Sequence, residues 1–226
     1  AEGGEIGAKG TFLDNMLAVN FAVYRYKFDD LQLTSFNASD ASFTIRNAAS
    51  ARTTGAELDA SLALTQELTL RGAVGYNKAK YLTFAGAPCY AGQTAGQGCV
   101  GGVQDLSGTP LVRAPKWNLS GGLTYDRELN DALMFGLSTD ANYTSGYWMQ
   151  ENQNPVGWQK GFARLNASVR VYEPDNKWEL ALIGRNLTNK YYGVASNDKP
   201  LGYSDNVAVS IGRPREILLQ ATYRFR

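Results

Sequence analysis

The segment ARLNASVRVYE, Ala163 to Glu173, alternates without a break. Ala163, Leu165, Ala167, Val169 and Val171 are apolar, whereas Arg164, Asn166, Ser168 and Arg170 between them are polar or charged. A period of two describes a β-strand with one apolar and one polar face. The same pattern returns along the chain. Leu58, Ala60, Leu62 and Leu64 alternate with Glu57, Asp59 and Ser61. Leu68, Leu70, Gly72, Val74 and Tyr76 alternate with Thr69, Arg71 and Asn77. Trp117, Leu119, Leu123 and Tyr125 form one face of another segment, and Leu133, Phe135, Leu137, Ala141 and Tyr143 do so in the next. Ile217, Leu219, Ala221, Tyr223 and Phe225 close the series. The periodicity predicts nine strands, roughly 4–13, 16–36, 43–65, 68–84, 112–126, 132–149, 161–172, 177–192 and 214–226.

A soluble sheet would turn the apolar faces to a core. A membrane barrel would turn them to lipid and keep the arginines in its lumen. Two features favour the barrel. Connections alternate between tight turns (Asp14-Asn15, Thr65 to Glu67, Arg127 to Asp131, Glu173 to Asn176) and long segments (37–42, 85–111, 150–160, 193–213), as in barrels with short periplasmic turns and long outer loops. Trp117 and Tyr125 are also spaced to reach two aromatic girdles. Eight residues of strand span about 26 Å, or roughly 20 Å of height once tilted. No run approaches the length of a transmembrane helix, which leaves strand crossing open. The expected fold is therefore all-β, an antiparallel transmembrane β-barrel segment of about nine strands. Nine strands and a first strand that runs inward read as the C-terminal part of a larger barrel. Ala1 opens no charged region followed by an apolar one, so the sequence reads as mature, truncated or a fragment.

The chain has no histidine, which excludes Ser-His-Asp and Cys-His catalysis and histidine metal or haem ligation. Its net charge of +1 gives no indication of nucleic acid binding. Cys89 and Cys99 flank the Gly-rich stretch CYAGQTAGQGC and fit a loop-closing disulfide formed in an oxidising compartment, with free thiols or half a metal site as the alternatives.

Three stretches resemble the C-terminal barrel of TonB-dependent outer-membrane receptors. They are NAASARTTGAELDASL (Asn47 to Leu62), GRNLTNKYYG (Gly184 to Gly193) and GRPREILLQATYRFR (Gly212 to Arg226). AVYRYKFDDLQLTSF (Ala22 to Phe36) fits a long family strand that projects beyond the membrane. The motifs occur in family order. They depart from it at the end, where Arg226 follows the aromatic Phe225. The resemblance implies the last nine strands of a 22-stranded plugged barrel in the outer membrane of a Gram-negative bacterium. The plug domain and TonB-contacting segment are not visible in residues 1–226. It implies as partners outer-membrane lipid, the remaining strands and plug on other sequence or another chain, and the TonB–ExbB–ExbD system acting through the plug. The ligand would be a ferric siderophore, another metal chelate, a vitamin or an oligosaccharide, and no enzyme activity, cofactor or resident metal is implied. A passive porin, or a structural component of an outer-membrane assembly, is the alternative.

The richest ligand candidate is SGYWMQENQNPVGWQKG, Ser145 to Gly161. Tyr147, Trp148 and Trp158 offer flat faces, and Gln150, Asn152 and Asn154 offer amides. Tyr147 and Trp148 fit an outer aromatic girdle equally well. Arg71, Arg113, Arg164, Arg170 and Arg185 are assigned to the lumen, where they could draw in an anionic chelate. The structural alternative, which has more precedent, pairs them with Glu57, Asp59, Asp140 and Glu179 or with the plug. Glu57 and Asp59 share a face, but two neighbours on one strand fit a salt-bridge role better than the paired carboxyls of a glycosidase.

Overall fold

The computed structural model describes residues 1–37, 42–48, 50–200, 202–203 and 205–225. Nine antiparallel strands form one sheet in chain order, each paired with its sequence neighbours. They are β1 (Glu2–Phe12), β2 (Leu17–Phe28), β3 (Ala51–Ala63), β4 (Leu68–Tyr81), β5 (Trp117–Asn130), β6 (Leu133–Thr144), β7 (Phe162–Tyr172), β8 (Trp178–Arg185) and β9 (Glu216–Tyr223). Strands β1 and β9 are the two edges.

Register keeps every apolar set on one face. Leu17 lies opposite Leu62, Leu62 opposite Leu70, and Leu70 opposite Leu123. The row continues with Leu123 opposite Thr139, and on further strands Val169 is opposite Leu182 and Leu182 opposite Leu219. A slip of one residue in any pair would move a whole strand's apolar set to the wet side, so the pattern itself fixes the register. These side chains are left uncovered: Leu182 is 53% exposed and Leu219 72%. Aromatics mark both ends of the band, with Tyr76 against Trp117 at 4.8 Å near the long loops and Tyr125 against Phe135 at 6.5 Å near the short turns. An apolar band bordered by rings is the lipid face of a membrane barrel.

Several predicted strand limits shift for local reasons. The expected strand 16–36 stops at Phe28, because Asp30 takes a left-handed φ of 56°, and Leu31–Asn37 pairs instead with Ser42–Ala48 as a separate hairpin. Strand 177–192 ends at Arg185 for the same reason, with Asn186 at φ 46°. The turn expected at 127–131 is shorter, since β5 runs to Asn130 and Leu133 already pairs with it. The start expected at 112 moves to Trp117, and the strand expected to end at 149 stops at Thr144. Arg113, assigned to the lumen face, lies in the connection before β5 with φ 52°, its N–H donating to the Trp148 carbonyl at 2.8 Å. Three of the expected long loops carry hairpins of their own: Ala87–Pro88 with Val103–Gln104, Tyr147–Trp148 with Trp158–Gln159, and Gly193–Asp198 with Val207–Ile211. Among the described residues, two small buried clusters sit where these loops meet the strands, one around Tyr81, Phe84, Ala87 and Leu106 and the other around Tyr147, Met149 and Phe162.

Candidate ligand face and outer-loop cluster

The polar face of the sheet is a continuous hydrogen-bonded surface. Asn20 donates to Asp59 at 2.7 Å, Thr53 to Asn77 at 2.6 Å and Arg71 to Thr124 at 3.4 Å. Asp140 accepts from Asn142 at 2.6 Å and Asn166 at 2.7 Å, and the Ser138 and Ser168 hydroxyls meet at 2.7 Å. Arg170 lies across Gly136 and donates to Asp126 at 2.6 Å, which also accepts from Tyr172 at 2.9 Å. Glu179 is 3.6 Å from the same guanidinium. Arg185 and Arg213 approach Glu216 at 3.8 and 3.9 Å. Glu57 shares this face with Asp59 by strand parity. Arg71, Arg170 and Arg185 therefore engage neighbouring acceptors. Asp59 and Asp140 are held by amides where the sequence suggested arginines.

Arg164 differs. Among the described residues it enters no ion pair. Its guanidinium sits over the Tyr192 ring at 5.1 Å and near Phe162 at 6.0 Å, and donates to the Tyr192 hydroxyl at 3.2 Å. The two rings stack at 4.3 Å. Cation–π contact stabilises the charge without neutralising it. Arg164, Asp140, Asn166, Arg185, Tyr192 and Arg213 line an open groove of about 590 Å³ on the polar face, directly beneath the outer loops. Phe162 and Tyr192 were not singled out from sequence. An aromatic at the wet-face parity of β7 was the available signal for Phe162.

The outer-loop segment expected to meet a ligand is folded inward. Asn154 is 0% exposed, and Gln150 and Asn152 are buried with it. Their amides converge on the buried carboxylate of Asp198. One Asp198 oxygen, Oδ1, accepts from Gln150 at 2.7 Å and Asn154 at 2.9 Å, and the other from Asn152 at 2.8 Å and the Ala91 backbone N–H at 2.8 Å. Ser196 donates to Gln150 Oε1 at 2.7 Å, and Gln104 to the carbonyls of Pro88 and Asn152 at 2.8 Å each. A buried polar group is stable only when its partners are present, and here the partners come from three connections. Cys89 and Cys99 are disulfide-bonded within the first of them. Tyr147 is buried, donates to the Gly193 carbonyl at 2.7 Å, and has its phenol pKa raised by burial. Trp148 and Trp158 pack edge to face at 5.0 Å, with Trp158 the more exposed. The amides of Gln150, Asn152 and Asn154 are thus committed to holding loops together, which leaves Trp148 and Trp158 as the accessible part of the predicted set. Nothing in the local pattern around Asp198 marks it from sequence.

The family model described as TonB dependent receptor-like, beta-barrel matches residues 1–187. No curated protein sequence matches the chain. Among solved structures, the ferric yersiniabactin uptake receptor FyuA from Yersinia pestis superposes on 98% of this chain and 29% of its own, with TM-score 0.74 and 14% identity. The siderophore receptor PiuA from Acinetobacter baumannii covers 96% of this chain and 27% of its own, with TM-score 0.64 and 19% identity. BauA, the ferric preacinetobactin receptor of the same organism, covers 97% and 28%, with TM-score 0.62 and 17% identity. At these identities the likeness is one of fold, and the chain spans under a third of each receptor's length. The family and these neighbours are transport receptors, not enzymes. With the family match extending over most of its strands, the chain belongs to the TonB-dependent receptors and builds part of their β-barrel.

Proposed function

We propose that this chain is part of the wall of a Gram-negative outer-membrane receptor that takes up an iron-loaded siderophore, driven through TonB. The relatives reported above are receptors for such chelates. The observation that carries the reading is Arg164, a cation on the polar face that is stacked on aromatic rings and holds no carboxylate partner among the described residues. A ferric chelate bearing carboxylate, phenolate or catecholate groups matches a guanidinium beside two rings in both charge and shape. Trp148 and Trp158 would meet the ligand as it enters from the loop side. The plug, the TonB-contacting segment and the strands that complete the wall lie on other sequence. Edges β1 and β9 need those strands, because unpaired backbone groups in hydrocarbon each cost several kcal/mol.

The test uses cells that lack the native receptor and carry the complete one, supplied with radioactive iron as an anionic chelate. Uptake is expected to require TonB and the proton gradient. Arg164→Gln is expected to raise the Kd for an anionic ferric chelate on the order of tenfold, the loss of one charge-assisted hydrogen bond, and to leave a neutral chelate unchanged. Uptake that continues without TonB would identify a passive channel instead. An R164Q receptor with unaltered affinity for every anionic chelate would remove the assigned site.

A further inference from the structure

Arg164 owes its place in the groove to one ring. Among the described residues the Tyr192 hydroxyl is its hydrogen-bond acceptor, at 3.2 Å, and its Nε is buried with no acceptor. The Tyr192 ring lies against the guanidinium at 5.1 Å and stacks on Phe162 at 4.3 Å. Phe162 and Arg164 are two residues apart on β7, so the strand fixes both. Tyr192 has no such support. It lies in the connection after β8, beyond the left-handed Asn186 and Asn189 and outside every strand. Its ring stays in place only if the backbone around it does.

Two glycines supply that support. The Gly212 N–H donates to the Tyr192 carbonyl at 2.9 Å. The ring also occupies the space a side chain at 212 would need, because a β-carbon there would overlap the ring Cζ and the hydroxyl. Gly212 does not take a left-handed φ, so the glycine serves the ring and not the backbone. Gly193, the residue after Tyr192, is clamped at both of its backbone groups. Its carbonyl accepts from the Tyr147 hydroxyl at 2.7 Å, and its N–H donates to Gln159 Oε1 at 2.7 Å. The Gln159 amide donates in turn to the Lys160 carbonyl at 2.6 Å, which fixes its orientation. Tyr147 and Gln159 face each other in register on the outer hairpin, and Trp148 and Trp158 are the next pair. Alternation turns the first pair to Gly193 and the tryptophans to the other side of the hairpin. Neither Tyr147 nor Gln159 lines the groove around Arg164.

We propose that Tyr147, Gln159 and Gly212 are positioning residues for anion recognition. They hold Tyr192 where it presents the Arg164 guanidinium to the groove, and they act through that ring and not on the ligand. The proposal rests on the uptake reading, in which Arg164 meets an anionic chelate. An unsupported arginine keeps its charge but has to be ordered when the ligand binds. Ordering one such side chain weakens binding by roughly two- to tenfold. Tyr192 orders it in advance.

The experiment uses the complete receptor in detergent micelles, with 4-fluorophenylalanine at position 162 read by fluorine NMR in the absence of ligand. Gly212→Ala is expected to move the resonance to the position shown by Tyr192→Ala, and Tyr147→Phe to move it part of the way. Ser210→Ala, exposed on the same hairpin, is expected to leave it unmoved. Equilibrium binding of the anionic ferric tris-catecholate and the neutral ferric tris-hydroxamate gives the second readout. G212A is expected to weaken the anionic chelate about fivefold and Y147F about threefold, with the neutral one unchanged. In an R164Q background neither substitution should weaken the anionic chelate further, which general damage to the loops would not reproduce. Y147F adds nothing to the groove and carries the test alone if G212A does not fold. A Y147F resonance at the parent position, equal losses for both chelates, or full losses that persist in R164Q would each overturn the proposal. So would parent affinity in G212A and Y147F while R164Q loses its own, and that result leaves the uptake reading standing. Parent affinity in R164Q itself would overturn the reading and the proposal with it.

Discussion

Replacing Asp198 by alanine should unlock the outer loops without unfolding the sheet. The carboxylate is buried and accepts four hydrogen bonds, two at each oxygen. Hydrogen bonds to a charged group contribute about 1.5–3 kcal/mol each, but removing the acceptor also lets water into the space it leaves. A net loss of about 3–5 kcal/mol is the scale seen when one partner of a buried charged cluster is deleted. The loss falls on the contacts between the loops and not on the strand ladders, so it appears as local opening. In the complete receptor, hydrogen exchange at Ala91, Met149 and Ser196 reads it directly. The Ala91 N–H donates to Asp198 itself, Met149 to the Gly157 carbonyl, and Ser196 to the Met149 carbonyl. Three kcal/mol lowers protection by more than a hundredfold. Asp198→Asn should do roughly half the damage, because an amide keeps one oxygen for two of the donors and faces the other two with an NH₂ group. Asp205→Ala, exposed on the same connection, should leave the three amides protected. Unchanged protection in D198A, or the same loss in D205A, would refute the hub.

Val169→Arg places a charge on the apolar face near mid-strand and should destabilise the receptor in lipid by about 2–4 kcal/mol. Ser168→Arg, one residue away on the wet face, gives up only its contact with Ser138. Equal losses in a urea titration from lipid vesicles would reverse the face assignment. Intact mass after alkylation without reductant should show no modified thiol at Cys89 or Cys99, and mass added at both would contradict the disulfide. Gly136→Val should displace Arg170 from Asp126, since any β-carbon at 136 runs into the Arg170 side chain. Loss of that half-buried ion pair should cost about 1 kcal/mol in the same titration, solvent screening taking the rest, and an unchanged midpoint would mean that the ion pair does not depend on the glycine.

The strands were legible because a half-buried sheet imposes its period on the sequence. Val169 and Leu182 must face lipid together, and Ser168 between two lipid-facing neighbours must not, so alternation alone gave nine strands and their faces. Their ends were less legible. Asp30 and Asn186 terminate strands through left-handed backbone angles, and an Asp or Asn can adopt such an angle or not without any change in the hydrophobic pattern. Thus 16–36 read as one strand, and the break inside it did not show.

The loops were opaque for a different reason, and it bears on function. Ala91 and Asp198 are 107 residues apart, and Gln150 and Asp198 are 48 apart. No window of sequence contains both partners. An amide-rich segment such as 150–154 looks the same whether its donors meet a ligand or a buried carboxylate, since both require several amides close together. What separates the cases is whether an acceptor already satisfies them. At Gln150, Asn152 and Asn154 Asp198 does so, and a ligand would have to break those bonds to be recognised. At Arg164 no carboxylate does so among the described residues, and recognition there breaks no ion pair. The polar groups most suited to binding are therefore not the densest in the sequence but those whose charge the fold leaves uncompensated.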